Sequence, residues 1–144
     1  MTRYDTPTRA GSPALALVRS WAVGVIVLVA TAAVQGKLVY DHLVGPEGVG
    51  SFGAALGLVH LPNLVCVVLA TWAAASVHPE PWREVPLWHA AAACAVPVAA
   101  QVLTLSLHWD RAGAGTLAFW LSTGVLLAGC VLGVLLDRLW KARE

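Results

Sequence analysis

The sequence predicts an all-α fold, an integral membrane four-helix bundle whose helices run up and down in antiparallel order. Charged residues make up only 12% of the 144 residues, about half the share found in a soluble domain, whereas 58% are hydrophobic. The hydrophobic residues come in unbroken runs rather than at amphipathic spacing, which indicates that lipid surrounds them. Four such runs are long enough to cross a bilayer, and short segments rich in polar residues, proline or glycine separate them.

One membrane domain is expected at 15–138, between cytoplasmic tails at 1–14 and 139–144. The predicted spans cover 17–34, 53–76, 87–107 and 116–136. We expect the other spans to assemble around the second one, which lacks a charged side chain yet carries polar residues near one end. A small-x-small pattern at 29–33 makes a cleaved signal peptide the alternative for the first span. An uncleaved helix is favoured, because the apolar run exceeds a usual signal core.

Loop charges predict the orientation. The N-terminal tail, the second loop and the C-terminus of a four-span protein share one side. That side holds seven of the nine Arg and Lys residues, namely Arg3, Arg9, Arg19, Arg83, Arg138, Lys141 and Arg143, against Lys37 and Arg111 on the other. Because basic residues concentrate on the cytoplasmic side, both termini are expected in the cytoplasm. The excess of Arg over Lys is typical of GC-rich bacterial genomes, so we expect the bacterial plasma membrane.

A layer of polar side chains is predicted in the outer half of the bundle. At about 1.5 Å per residue, each span places at least one such side chain at a similar depth. The members are Thr31, His60, Asn63, Gln101, Thr104, Ser122 and Thr123. Pro62 and Pro97 each free a backbone carbonyl and add acceptors to the layer. The layer either satisfies itself by hydrogen bonds between helices or forms a ligand pocket with His60 as ligand or proton carrier, since an ionisable residue within a span indicates a site.

Other groups with metal-binding or redox chemistry occur without the spacing of a known site. The outer loops hold Asp41, His42, Glu47, His108 and Asp110, which we expect to be solvated, so no metal site is predicted. The second loop and its border hold His78, Glu80, Arg83, Glu84 and His89, which we predict to form a wet loop at the inner interface. Cys66, Cys94 and Cys130 lie one per span and are expected to be small buried hydrophobic residues.

A first span that ends at Gln35, a second with His60 and a third with Gln101 resemble small four-span bacterial membrane proteins of the DoxX-like and cytochrome-b-like four-helix bundle type. Gln35-Gly36-Lys37-Leu38 is similar to the Gly-x-x-Lys-Leu end of a DoxX first helix, with the spacing shifted by at least one residue. No activity is carried over from the resemblance and no cofactor is predicted, with a haem or quinone at His60 as the alternative. Trp120 stands where a haem-binding bundle would place a histidine early in its fourth span, which argues against haem.

The sequence contains no nucleophile elbow, phosphate-binding loop or paired intramembrane carboxylates. A net charge of +1 gives no reason to expect nucleic acid. We therefore expect a membrane protein without catalytic machinery, acting as an accessory or assembly partner in a larger complex, or binding a lipid-like molecule. The alternatives are a haem or quinone redox protein centred on His60 and a subunit of a homo-oligomeric transporter or channel. For the latter, Gly129-x-x-x-Gly133 offers a packing face within the bundle or between copies.

Overall fold

The computed structural model describes residues 12–40, 50–80, 82–108 and 116–143. Most of the predicted N-terminal tail, and most of the first and third loops, lie outside these ranges. The helices are α1 at Pro13–Gln35, α2 at Phe52–Ser76, α3 at Pro86–Leu107 and α4 at Leu117–Lys141. Each is long and apolar enough to cross a membrane, and no strand occurs among the described residues. The predictions of an all-α fold and of four candidate spans are confirmed.

The first helix is longer than predicted at both ends. It begins at Pro13 instead of 17, because the Ser12 side chain accepts a hydrogen bond from the Leu15 amide and proline suits the first position of a helix. After Gln35, where a loop was predicted, the chain continues as a wider π-helical turn at Gly36–Tyr40. No proline interrupts this segment, and a glycine can adopt helical backbone angles.

The fourth helix also extends beyond its predicted end at 136, as far as Lys141. Basic side chains in its last turn, from Arg138 and Lys141, offset the negative end of the helix dipole. The extension places Asp137 within the helix. Helices α2 and α3 each begin one residue before the predicted start and end where predicted.

Helix α2 contains a π-helical turn at Leu56–His60, closed by the amide of Leu61 on the carbonyl of Leu56. Pro62 follows directly, lacks an amide hydrogen, and would collide with the carbonyl four residues earlier in a regular helix. The wider turn gives the proline ring room. The helix therefore continues through Pro62 instead of ending there.

Helix α2 contacts each of the other three helices, and most extensively α1 and α4. Its interface with α4 depends on two glycines. A Cβ added at Gly129 would lie 2.5 Å from Cγ1 of Val67, and one added at Gly133 would lie 2.6 Å from Cβ of Thr71. The Gly129-x-x-x-Gly133 face is therefore used within the bundle, so it no longer supports an oligomeric transporter.

Small side chains fill the space between the helices, which lets the backbones approach closely. The fully buried alanines are Ala70, Ala74, Ala75, Ala92 and Ala93. Large apolar side chains face outward, with Leu87 83% and Leu107 71% exposed. Removing apolar surface from water is worth about 25 cal/mol per Å², so this outer surface suits lipid rather than water. The three cysteines form no disulfide, and Cys66 and Cys130 are buried as predicted, whereas Cys94 is only half-buried.

Five tryptophans gather at one end of the bundle. The ring centroids of Trp72 and Trp140 are 6.1 Å apart, and those of Trp82 and Trp88 are 6.4 Å apart. The Trp21 indole donates a hydrogen bond to a backbone carbonyl of α3. These contacts join the start of α1 to the start of α3, and the end of α2 to the end of α4. Tryptophan is typical of a membrane–water interface, and we call this the tryptophan-rich end.

Candidate functional site

Part of the predicted outer polar layer meets around one cavity. Asn63, Gln101 and Thr104 line this cavity, whose volume is about 280 Å³. The Gln101 amide nitrogen donates to the Ser122 hydroxyl at 2.9 Å, which joins α3 to α4. The Ser122 hydroxyl in turn donates to the carbonyl of Phe119. Of these two contacts, only the first joins two helices, and the second lies within α4.

The other predicted residues of the layer lie apart. The Thr31 hydroxyl donates to the Val27 carbonyl of its own helix at 2.8 Å. Thr123 is half-buried, and its hydroxyl makes no hydrogen bond within the described part of the chain. His60 is half-buried at the end of the π-helical turn and does not line the cavity around Gln101. The geometry therefore adds no support for a redox site centred on His60.

A larger cavity forms an apolar groove between α1 and α2, with a volume of about 510 Å³. Its apolar lining includes Ala30, Val34, Leu38, Pro62, Val65 and Leu69. The two most polar side chains of the groove already have partners. Thr31 donates to its own helix, while Gln35 donates to the Val59 carbonyl and accepts from the Cys66 thiol, each at 3.4 Å. The groove therefore presents hydrocarbon to any occupant.

A cluster of buried polar side chains lies at the tryptophan-rich end, formed by Ser20, His78, Arg83, His89 and Asp137. We call it the polar cluster. The Oγ of Ser20 lies 3.3 Å from Nδ1 of His78, and the His78 and His89 rings are 6.0 Å apart between centroids. The Nε2 of His89 lies 3.8 Å from Oδ2 of Asp137, which also accepts a hydrogen bond from Arg83. Ser20 is fully buried, and both His78 and Asp137 are 2% exposed.

The second loop folds back over the end of the bundle, which builds the cluster. Helix α2 ends at Ser76, and the amide of His78 then closes a turn on the carbonyl of Ala75 at 3.2 Å. A 3₁₀ turn at Trp82–Glu84 leads into α3, whose first residue, Pro86, needs no amide partner. The loop therefore carries its arginine and histidine inward, against the ends of α1 and α4.

The charges of the polar cluster are paired. The side chains of Arg83 and Asp137 are 11% and 3% exposed, so both are largely removed from water. An isolated buried charge costs several kcal/mol, whereas a hydrogen-bonded pair recovers most of that cost. The ion pair therefore explains how α4 can carry an aspartate inside the bundle.

Each histidine of the polar cluster has one ring nitrogen without a hydrogen-bond partner among the described residues. Burial lowers the pKa of His78; the Trp82 carbonyl acts in the opposite direction, and the Arg83 cation lowers it further. The Nε2 of His78 and the Nδ1 of His89 are buried and have no hydrogen-bond partner among the described residues. Native proteins rarely leave such atoms without a hydrogen bond, which makes both nitrogens candidate ligand-binding atoms.

Acidification is expected to destabilise the fold through His78. Its folded pKa lies below the ordinary 6.5, so the unfolded chain takes up the proton first. Stability therefore falls as the pH drops from about 6.5 to the folded pKa, by at most about 1.4 kcal/mol per pH unit. Thermal unfolding in a neutral detergent from pH 8 to 5.5 measures this. His78→Gln should weaken the dependence, and His108→Gln, at an exposed position, should not. Equal acid sensitivity in wild type and His78→Gln would contradict the assignment.

The prediction of a wet inner loop was wrong for His78, Arg83 and His89, all of which are largely buried. Glu80 and Glu84 are exposed, as predicted. Counting depth at the inner ends of the spans, as for the outer layer, would have indicated this cluster. A serine, a histidine and an aspartate lie at the inner ends of three different spans. Which way each helix turns those side chains was not readable from the sequence.

No three His, Cys, Asp or Glu side chains within the described ranges are placed to hold a metal ion. His108 is the one described member of the outer-loop group, and it is exposed with Nδ1 3.0 Å from the Thr104 carbonyl. The other members, Asp41, His42, Glu47 and Asp110, lie outside the described residues.

Comparison with known proteins finds no match: no protein-family model fits the sequence, and no curated protein or solved structure is similar to it. The resemblance to DoxX-like and cytochrome-b-like bundles therefore stays a prediction. The function has to be inferred from the groove, the polar cluster and the charges around them.

Proposed function

We propose that the chain is a multi-pass protein of the bacterial plasma membrane that binds a lipid-like molecule in the groove between α1 and α2. In this proposal the four helices cross the bilayer in alternating directions, and the tryptophan-rich end and both termini face the cytoplasm. The contact between Ser20, near the start of α1, and His78, just beyond the end of α2, supports the alternation. The concentration of Arg and Lys on one side supports the orientation.

The groove is the observation that carries the proposal. Bilayer tails are as apolar as its lining, so hydrophobicity alone gives no preference for one occupant, and selectivity has to come from shape. Leu38 and Val39, from the π-helical turn that continues α1, and Pro62 of α2 give the groove an irregular wall. The ligand therefore needs a shape that ordinary acyl chains lack, such as a branched or ring-bearing hydrocarbon.

Filling the groove is expected to remove the bound molecule. Ala30 lines the groove and is exposed, so Ala30→Trp places an indole there without disturbing the packed interior. Native mass spectrometry from mild detergent should show a retained lipid-like molecule on wild type and at least about tenfold lower occupancy on Ala30→Trp, about 1.4 kcal/mol.

Val131→Trp is the matched control, because Val131 is 59% exposed on α4, away from the groove. It should retain the molecule. Equal occupancy in the two tryptophan variants, or no selectively bound molecule on wild type, would exclude this function.

An accessory role in a larger membrane complex is the second candidate, and the same groove favours it. The groove follows α1 over residues 30–39, about 15 Å, which is enough length for a partner's helix to pack. If Ala30→Trp releases a co-purifying membrane protein and leaves lipid content unchanged, the accessory role replaces lipid binding. A Soret band lost on His60→Ala would instead indicate haem at that histidine.

A further inference from the structure

A third cavity opens beside the polar cluster, at the end of the bundle opposite to the groove's Gln35. Its volume is about 380 Å³. It is lined by Arg83, His89, Asp137, Arg138, Lys141 and Ala142, and we call it the basic cavity. The histidine and the aspartate are buried, whereas Arg138 and Lys141 are exposed. The cavity therefore runs from the surface to the buried charges.

The basic cavity carries an excess of positive charge. Three cations and one carboxylate line it. Arg83 is paired with Asp137, but neither Arg138 nor Lys141 forms an ion pair with any other described residue. The end of α4 contributes a partial negative charge of about one half, which is too small to cancel the excess. With respect to the described residues, two cations are therefore available to an anion.

A buried histidine also lines the basic cavity. His89 lines the cavity at 6% exposure, and its Nδ1 has no partner within the described part of the chain. A protonated Nδ1 donates a hydrogen bond, and a guanidinium can donate two parallel ones to the oxygens of a phosphate. Together, Arg138 and Lys141 offer donors that suit a tetrahedral, multiply charged anion.

The level of the cavity identifies the source of that anion. The Trp72–Trp140 and Trp82–Trp88 pairs lie at the same end, where tryptophan marks the lipid headgroups. The cytoplasmic leaflet is rich in anionic lipids, which attract basic residues near the surface. We propose that the basic cavity binds a phosphate group, supplied by the headgroup of an anionic phospholipid. The inference rests on the membrane placement proposed above and is independent of the groove.

Titration with defined lipids tests the site. Purified protein in neutral detergent is titrated with phosphatidylglycerol, phosphatidylcholine or inorganic phosphate, and tryptophan fluorescence reports binding. The double variant Arg138→Gln with Lys141→Gln should bind phosphatidylglycerol about thirtyfold more weakly, roughly 2 kcal/mol at 1.4 kcal/mol per tenfold. Arg143→Gln is the control, because Arg143 is exposed at the same end and does not line the cavity.

The outcomes distinguish a lipid site from a site for the free anion and from no phosphate site. Binding of phosphatidylglycerol that is lost in the double variant and kept in Arg143→Gln supports the lipid site. An equal response to inorganic phosphate keeps the phosphate site and replaces the lipid by the free anion. The proposal is overturned by equal binding of phosphatidylcholine, by unchanged binding in the double variant, or by an equal loss in Arg143→Gln. Unchanged thermal unfolding of the lipid-free variants shows that both remain folded.

Discussion

Gly133→Ala is expected to destabilise the bundle by about 1–3 kcal/mol, the usual cost of overpacking, and Gly133→Leu by more. The added Cβ would lie 2.6 Å from the Cβ of Thr71 and 2.9 Å from the backbone carbonyl oxygen of Val68. Neither atom is the end of a flexible side chain, so α4 has to move away from α2. Because α2 contacts all three other helices, the loss should extend through the bundle.

The same change at Gly124 should have the opposite sign. A Cβ added there meets nothing within 4 Å, and replacing glycine by alanine within a helix favours the helix by about 1 kcal/mol. Unfolding by SDS from mild detergent, followed by tryptophan fluorescence, compares the two variants in one assay. Equal stability of Gly124→Ala and Gly133→Ala would show that the α2–α4 contact is not close.

Removing one member of the buried ion pair is expected to cost about 3–5 kcal/mol. Asp137→Leu leaves the Arg83 cation largely buried without its counter-ion, and Arg83→Met leaves the Asp137 carboxylate in the same state. The double variant Arg83→Met with Asp137→Leu removes both charges at similar volume and should regain most of the lost stability. Glu84→Gln, which changes an exposed charge in the same loop, should stay within about 0.5 kcal/mol of wild type.

The four proteins of this double-mutant cycle give the coupling energy between the two side chains. The double variant is expected to lose several kcal/mol less stability than the sum of the two single variants, because the second substitution removes the charge that the first leaves unpaired. Additive losses in the double variant would mean that Arg83 and Asp137 act separately. In that case the second loop does not fold over the bundle end.

The spans could be predicted from the sequence because the surroundings of a span determine its composition. Long apolar runs predicted α2 and α3 to within one residue at each end, whereas the ends of α1 and α4 depended on caps and on the absence of helix breakers. Depth along each helix was also readable, and it grouped Asn63, Gln101 and Ser122 in one layer. Rotation about each helix was not readable, which is why His60 and Thr123 were placed in the same group.

The polar cluster escaped prediction because it depends on how a loop folds. Three prolines and four polar or charged residues made 78–86 look like a solvated connection. A single 3₁₀ turn and the burial of two histidines turn that connection inward, and composition does not reveal such a turn. The sequence predicted that Gly129 and Gly133 form a packing face, but it did not predict that this face packs against α2.

Cysteine labelling in intact cells tests the central claim, that four helices cross a bilayer with both termini in the cytoplasm. In a background with Cys66, Cys94 and Cys130 replaced by alanine, single cysteines are placed at Ser12, Gly50 and Arg143, all exposed positions. A membrane-impermeant maleimide should label Gly50→Cys in intact cells and the other two only after permeabilisation. Labelling of Ser12→Cys or Arg143→Cys in intact cells, or release of the protein without detergent, would contradict the claim.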